Sequence, residues 1–338
     1  MVSKKINKNI KVLLWIGLGL LISDSIYRYG VELLAVPTSS MQNTIKAGDY
    51  VWVNKLRPGP RFYPNKANRY FRLKWGQQLA INDIIVFNFP DADTAFSEKP
   101  GESYYLLKRQ SLLPDSVNKQ EWGQIKILNV NKRPRMIKRI VGLPGDTVII
   151  KEGDLWVNHQ KFEEPVSTIK SYEWTGDSIA LLKIAKQLGR DIPVHQIDVF
   201  NKTIRLSIEE ARQVQNTYGP LKESTIKPGI YDPNVFPFSA QRRWNANNMG
   251  PIVIPRKGMT MRLTPDNFAL YKRIINVFEE ENICCIGNYL FKDNIPISKY
   301  TFKMNYYWVH GDNQPRSFDS RYWGPVPENH IVGVVQPD

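Results

Sequence analysis

The chain begins with a basic stretch followed by an apolar one, and this order restricts where the rest of the protein can lie. Four lysines come first: Lys4, Lys5, Lys8 and Lys11. Residues 12–22 then carry no charge, and the first acidic residue is Asp24. Because positive residues stay on the cytoplasmic side of a membrane helix, residues 1–11 are predicted to be a cytoplasmic tail and residues 12–34 a membrane anchor. Since no second spanning pattern follows, we expect the remaining chain outside the membrane.

A cleavable leader is the competing interpretation of this segment. Its uninterrupted apolar run is shorter than the roughly 20 residues that span a bilayer. Inclusion of Ile26, Tyr27 and a snorkelling Lys11 lengthens it to a helix that just spans. For cleavage after small residues, the segment offers Ser23 and Ser25, which form a poor site. We therefore favour an uncleaved anchor.

The net charge of the chain is +14, from 46 basic and 32 acidic residues among 338. Lys and Arg are scattered, without a continuous basic helix or an aromatic RNA-binding signature, so we expect no nucleic-acid partner. A basic face against anionic lipid headgroups is a second interpretation. Hydrophobic residues at 42% and charged residues at 23% exclude a polytopic membrane protein and a disordered chain.

The two cysteines, Cys284 and Cys285, are adjacent. A disulfide between neighbours is strained, so no disulfide framework is expected. The cysteines lie in the apolar stretch 283–286, which predicts a buried strand and a packing role rather than redox chemistry.

Short apolar runs that follow turn residues predict a mainly β protein. The predicted strands are residues 50–55, 84–87, 137–142, 147–150 and 155–157. Residues 161–300 differ in texture, because Ser207 begins a capping box and Thr264 precedes a proline at the start of a second helix. We predict a β core formed by residues 37–160 and 301–338, with an inserted α+β domain at 161–300.

Histidine gives weak support for a catalytic base. His159 and His330 lie in turn-like sequence, His195 lies in the inserted region, and His310 has one nearby carboxylate, Asp312. Neither histidines nor cysteines show the spacing of metal ligands, so we expect no metal and no cofactor.

Lysine can replace histidine as the base when its amine is neutral. That state requires a lysine pKa about 3 units below its ordinary value of about 10.4, which burial can provide. Lys138 fits, because it lies between the apolar residues 136–137 and 140–141. A lysine on a strand is more often an edge residue, so this position alone does not establish a site.

Four segments strengthen the case when they are read together. They are PTSSM at 37–41, GDYVWVNK at 48–55, KRIVGLPGD at 138–146, and GDN at 311–313 with SFDSRYWGPVP at 317–327. In this order they resemble the sequence boxes of the type I signal peptidases, a Ser/Lys serine peptidase family. The resemblance covers the anchor and both ends of the extramembrane part, and little of residues 161–300.

The resemblance implies a role for each matching residue. Ser40 matches the nucleophile and Lys138 the general base. Thr38 matches a hydroxyl that joins the Ser40 backbone N–H in an oxyanion hole. The implied fold is a signal-peptidase-like β peptidase core with an inserted domain.

The last motif implies supporting roles. Ser317 matches a serine that orients the lysine amine. Asp319 and Arg321 match an ion pair behind the site, and Arg139 is expected to join that pair.

Two short stretches depart from the family pattern. Gln42 and Asn43 follow Met41 where a proline usually stands two places after the methionine. The run 314–316, Gln-Pro-Arg, replaces a basic and polar run. Both changes are expected to alter loop geometry beside Ser40 without removing the residues named above.

The expected activity is the removal of signal peptides from exported preproteins by a single-pass enzyme of the bacterial cytoplasmic membrane. Its N-terminus would be cytoplasmic and its catalytic part periplasmic, with preproteins and the bilayer as partners. One alternative is a weakened paralogue that acts as a tethered binding protein for an export partner or an anionic surface. Another is a self-cleaving Ser/Lys repressor, which the anchor and the lack of a helix-turn-helix pattern disfavour.

Overall fold

The computed structural model describes residues 8–63, 70–73, 77–110, 119–174, 184, 197–198 and 203–336. Six α-helices lie in these ranges. They are α1 Lys8–Ser25, α2 Tyr104–Arg109, α3 Lys119–Trp122, α4 Ile208–Tyr218, α5 Pro265–Arg273 and α6 Ser320–Trp323. Two π-helical turns, Ile26–Gly30 and Ile274–Phe278, extend α1 and α5.

Strands are the more frequent element, and those before residue 162 are the following. They are β1 Val31–Ala35, β2 Tyr50–Asn54, β3 Arg61–Phe62, β4 Phe71–Arg72, β5 Ile84–Asn88, β6 Thr94–Phe96, β7 Ile125–Ile127, β8 Arg135–Gly142, β9 Thr147–Lys151, β10 Asp154–Val157 and β11 Gln160–Lys161.

The later strands complete the set. They are β12 Ile169–Glu173, β13 Ile197–Asp198, β14 Thr203–Ser207, β15 Lys222–Glu223, β16 Met249–Val253, β17 Thr260–Arg262, β18 Ile283–Ile286, β19 Tyr289–Lys292, β20 Ile295–Ile297, β21 Lys299–Thr301, β22 Tyr306–His310, β23 Val326–Pro327 and β24 Ile331–Val335. The predicted mainly β fold and all five predicted strands are confirmed.

The main sheet joins both ends of the extramembrane chain. Its antiparallel order is β1-β2-β24-β5-β8-β22-β23. The strand β8 is buried from Ile137 onward. Such a strand is covered on both faces, so its two charged residues within the buried part, Lys138 and Arg139, are buried as well. A core that includes Phe87, Ile140, Val309 and Trp323 packs against this sheet.

A second sheet crosses the boundary expected at residue 161. Its order is β11-β10-β9-β16, so strands from 147–161 pair with Met249–Val253. One apolar core extends from Val141 to Trp308 and includes both sides of that boundary. The division of the chain into core and inserted domain stays a prediction.

A third sheet packs against the first predicted helix of the inserted region, α4. Its order is β13-β14-β12-β15, and Ser207 caps α4 with Glu210 in a capping box. Thr264 caps α5 in the same way, with Pro265 in the first turn. Both predicted helix starts are confirmed. An isolated parallel bridge between Ile169 and Asn313 connects β12 to the loop after β22.

Among the described residues, one helical stretch, Lys11–Gly30, is long and apolar enough to cross a membrane. Its side chains are largely exposed, including Trp15. Lys55, the residue after β2, connects this helical stretch to the main sheet. Its Nζ donates to Tyr27 O at 2.6 Å and forms an ion pair with Glu32 at 2.7 Å.

The prediction for the cysteines was right about the strand and wrong about its burial. Cys284 and Cys285 are free and exposed on β18, where Ile283 is buried. The strand β18 is an edge of the three-stranded sheet β18-β19-β20. An apolar run becomes buried where another layer covers it, and most of β18 is uncovered.

Candidate active site

Ser40 lies in a tight turn between β1 and β2. Thr38 is extended, and residues Ser39–Met41 form one 3₁₀ turn. Met41 is buried and fixes the turn in an apolar cluster beside β8. The Ser40 side chain therefore has a defined direction, and its residue is 7% exposed.

Lys138 reaches the Ser40 hydroxyl from β8. Its Nζ lies 2.5 Å from Ser40 Oγ and 3.0 Å from Ile137 O. The residue is 2% exposed. Burial lowers the pKa of the Lys138 amine to about 8, and the carboxylates of Asp319 and Asp312 limit that decrease. A neutral amine is therefore accessible near neutral pH.

Thr38 stands beside the same hydroxyl. Its Oγ1 lies 3.5 Å from Ser40 Oγ. The Thr38 and Ser40 hydroxyls are thus close together, and the role of the Thr38 hydroxyl and the Ser40 N–H as an oxyanion hole stays a prediction.

The last motif holds the nucleophile turn through its backbone. Asn313 N–H donates to Ser40 O at 2.9 Å, and Asn313 Nδ2 donates to Ser39 O at 3.0 Å. Gly311 allows this close packing. A Cβ there would lie 2.2 Å from Ser317 Oγ and 2.7 Å from Ser40 O, which is too close for any side chain.

Asp319 and Arg321 form the buried ion pair that the resemblance implies. Arg321 Nη2 and Nε each lie 2.9 Å from the Asp319 carboxylate. Burial alone would raise the pKa of this carboxyl, but Arg321 and its other hydrogen-bond donors hold it well below its usual range. The Ser317 hydroxyl donates to Asp319 at 2.7 Å. Direct orientation of the lysine amine by Ser317 stays a prediction.

The expectation for Arg139 requires a correction, because its carboxylate partner is Asp312. Arg139 Nε and Nη2 donate to the two oxygens of Asp312, at 2.9 and 2.6 Å. The reason is strand register. Arg139 lies opposite His310 in β22, so its guanidinium meets the carboxylate that follows two residues later.

In the described structure, the hydrogen-bond partners of the Ser40 hydroxyl are Lys138 and Thr38 rather than a histidine. His310 accepts from Trp308 Nε1 at 3.1 Å, and burial lowers its pKa to about 4. His330 is buried beside Arg133, and His159 is a turn residue with φ of +68°. His195 lies outside the described residues. No cluster of His, Cys, Asp or Glu in the described ranges could hold a metal ion.

The first stretch that departs from the family pattern has a specific backbone conformation and a specific contact next to it. Asn43 has φ of +74°, a left-handed conformation that a proline cannot adopt. Thr44 follows it, and its Oγ1 donates to Asp312 Oδ2 at 2.5 Å. Thr44, Asp312 and Asn313 were not among the predicted site residues, although the Gly-Asp-Asn motif at 311–313 already contained two of them.

Comparison with known proteins gives a family match over most of the chain. A family model described as "Signal peptidase, peptidase S26" matches residues 9–227 and 289–337. The residues between, 228–288, contain β16, β17, α5 and β18. The sequence motifs at both ends therefore fall within the match.

Individual relatives match shorter parts of the chain. Signal peptidase I of Buchnera aphidicola is 44% identical over 46 residues, which are 14% of this chain and 15% of that protein. Signal peptidase I of Bacillus amyloliquefaciens is 49% identical over 43 residues, 13% of this chain and 23% of the relative. Signal peptidase IB of Staphylococcus aureus is 29% identical over 130 residues, 38% and 66% respectively. The chain spans less than two thirds of each.

A solved structure of signal peptidase I from Enterococcus faecalis covers 77% of this chain and 98% of its own. The two share 15% sequence identity with a TM-score of 0.24, a superposition too poor to support a conclusion.

Proposed function

Because the chain belongs to the signal peptidase family, peptidase S26, we propose that it is a membrane-bound serine endopeptidase that removes signal peptides from exported preproteins. Ser40 is the nucleophile and Lys138 the general base. One observation carries the proposal. A buried lysine amine lies 2.5 Å from a serine hydroxyl, with its pKa lowered to about 8.

The reaction proceeds through an acyl-enzyme. The neutral Lys138 amine takes the Ser40 proton while Oγ attacks the carbonyl carbon of the scissile bond. The resulting ammonium gives its proton to the departing amine, and a water then hydrolyses the ester with the same lysine as base. With a pKa of about 8, roughly a tenth of Lys138 is neutral at pH 7. No cofactor takes part.

Stabilisation of the oxyanion falls to two donors beside Ser40. They are its own N–H and the Thr38 hydroxyl, whose Oγ1 lies 3.5 Å from Ser40 Oγ. Such preset donors are worth about 3–4 kcal/mol each in transition-state stabilisation. The Asp319–Arg321 pair supports the site from behind, and Gly311, where no Cβ would fit, allows the last motif to pack against the Ser40 turn.

Membrane attachment follows from the anchor and an apolar patch beside it. Leu33, Tyr50 and Trp52 are exposed, and the pairing of Leu33 with Trp52 puts them on one face of β1 and β2. Aromatic side chains favour the membrane interface. The basic N-terminal tail keeps the chain start in the cytoplasm, so the catalytic part faces the periplasm of a bacterium.

This location suits the substrate. A signal peptide presents its cleavage site at the end of an apolar segment, after small residues at positions −1 and −3. Ser40 follows the membrane-spanning stretch by ten residues. The nucleophile therefore lies close to the membrane surface, where the cleavage site emerges.

The test uses the full chain in detergent with a preprotein. Wild type should release the mature protein, and Ser40→Ala and Lys138→Ala should each lower the rate by at least about a thousandfold. Terminal sequencing of the product locates the cleaved bond. Equal processing by all three proteins would refute the mechanism, and wild type without processing would favour the tethered binding protein.

A further inference from the structure

We propose that residues 164–169, which lead into β12, position the nucleophile turn for catalysis; we call them the bracing segment. The inference rests on the proposed role of Ser40. It assigns a positioning role to a segment whose hydrogen bonds lead to Ser40 through Asp312, Asn313 and Thr44.

The first contact of the bracing segment is with the backbone of the last motif. Ile169 N–H donates to Asp312 O at 2.7 Å, and Ile169 forms a parallel bridge with Asn313. Asn313 N–H in turn donates to Ser40 O at 2.9 Å. Two successive backbone hydrogen bonds thus connect β12 to the nucleophile.

The second contact is with Thr44, which follows the nucleophile turn and whose N–H donates to Met41 O. Ser167 Oγ lies 3.1 Å from Thr44 Oγ1. Because the single Thr44 hydroxyl proton is directed at Asp312, Ser167 must be the donor in this pair. The left-handed backbone of Asn43 turns the chain so that Thr44 meets both partners. The family proline at position 43 would prevent this turn.

The third contact involves the other departure from the family pattern. The Gln314 side-chain amide donates to the Glu164 carboxylate. Glu164 also forms an ion pair of 2.8 Å with the buried Lys170. Gln314 and Thr44, the residue that follows Asn43, therefore share one partner, the bracing segment.

The bracing segment is itself fixed by α4. The first N–H groups of this helix donate to carbonyls of the bracing segment. Ile208 N–H donates to Thr168 O at 3.0 Å, and Glu209 N–H donates to Val166 O at 3.1 Å. These helix-end donors need partners, so the segment and helix stabilise each other. An apolar cluster that includes Leu206 and Val214 packs β14 against α4.

The bracing segment acts on catalysis by fixing the position of the Ser40 hydroxyl. A nucleophile displaced by about 1 Å can lose a hundredfold in rate, while substrate contacts elsewhere stay intact. Weakening the bracing segment should therefore lower kcat and leave KM nearly unchanged.

The experiment compares matched pairs in the full-length enzyme on one preprotein. Ser167→Ala should lower kcat about threefold to tenfold, and Ser167→Thr, which keeps the hydroxyl, should restore it. Asn43→Pro should lower kcat about a hundredfold, and Asn43→Gly, which tolerates positive φ, should stay near wild type. Thr217→Ala on α4 is the control, and KM and Tm are recorded for every variant.

The outcomes separate the two proposals. Wild-type activity with inactive Ser40→Ala establishes the proposed function independently. Against that background, wild-type kcat in Ser167→Ala refutes the bracing role, as does a loss that Ser167→Thr fails to restore. A loss of kcat in Ser167→Ala at unchanged Tm and KM, restored by Ser167→Thr, supports it even if Asn43→Pro does not fold.

Discussion

The backbone N–H of Asn313 donates a 2.9 Å hydrogen bond to the carbonyl oxygen of Ser40. These residues are far apart in sequence, yet their loops pack without space for one methyl group at Gly311. The turn that carries Ser40 is therefore shaped by the end of the chain as much as by its own sequence. Predictions follow from this contact and from the burial of Lys138.

Gly311→Ala should inactivate the enzyme and lower its free energy of unfolding by about 1–3 kcal/mol. The new Cβ would lie 2.7 Å from Ser40 O, so the turn must move. Activity and thermal unfolding measure the two effects. Gly101→Ala, where no atom lies within 4 Å, is the matched control and should match wild type. An active Gly311→Ala enzyme would contradict the packing described here.

Lys138→Met should stabilise the inactive protein at pH 7. Burial lowers the lysine pKa from 10.5 to about 8, so the unfolded chain binds a proton between those values that the folded chain does not. Stability of the wild type must then rise with pH across this window, by about 3 kcal/mol in total. The measurement is chemical unfolding of both proteins from pH 7 to 10. The difference in the free energy of unfolding between the two proteins should shrink with rising pH. A constant difference would contradict a lowered pKa of Lys138.

Replacing Tyr50 and Trp52 by serine should lower cleavage of a preprotein inserted in lipid vesicles by roughly threefold to tenfold. The two side chains are exposed on β2, which pairs with the strand that follows the apolar helix, and under the proposed membrane attachment their loss removes apolar contact with lipid. Cleavage of a short soluble peptide in detergent should not change. Ile127→Ser, at an exposed position on β7, is the control. Equal losses of cleavage on both substrates would indicate that the two residues stabilise the protein rather than contact lipid.

The sequence motifs predicted that Ser40 and Lys138 lie close together, which the structure confirms. Ser40 and Lys138 each lie in a short motif, and the apolar neighbours of Lys138 indicated its burial. The partner of Arg139 could not be predicted this way. Two carboxylates, Asp312 and Asp319, lie within one motif, and the choice between them depends on the register of β8 and β22.

Contacts between distant segments also could not be predicted from the sequence. The apolar residues around Cys284 suggested burial, but burial depends on whether another layer covers the strand, and none covers Cys284 or Cys285. The contact of Ser167 with Thr44 joins residues 123 positions apart. A local pattern carries no information about such a pair.

The most direct test of the account is the dependence of kcat/KM on pH for wild-type enzyme with a preprotein in detergent. This quantity reports the ionisation of the base in the free enzyme. With Lys138 as that base, kcat/KM should fall about tenfold per pH unit below a midpoint near 8, because burial sets the amine pKa there. A profile that stays flat from pH 6 to 9 would contradict a lysine base.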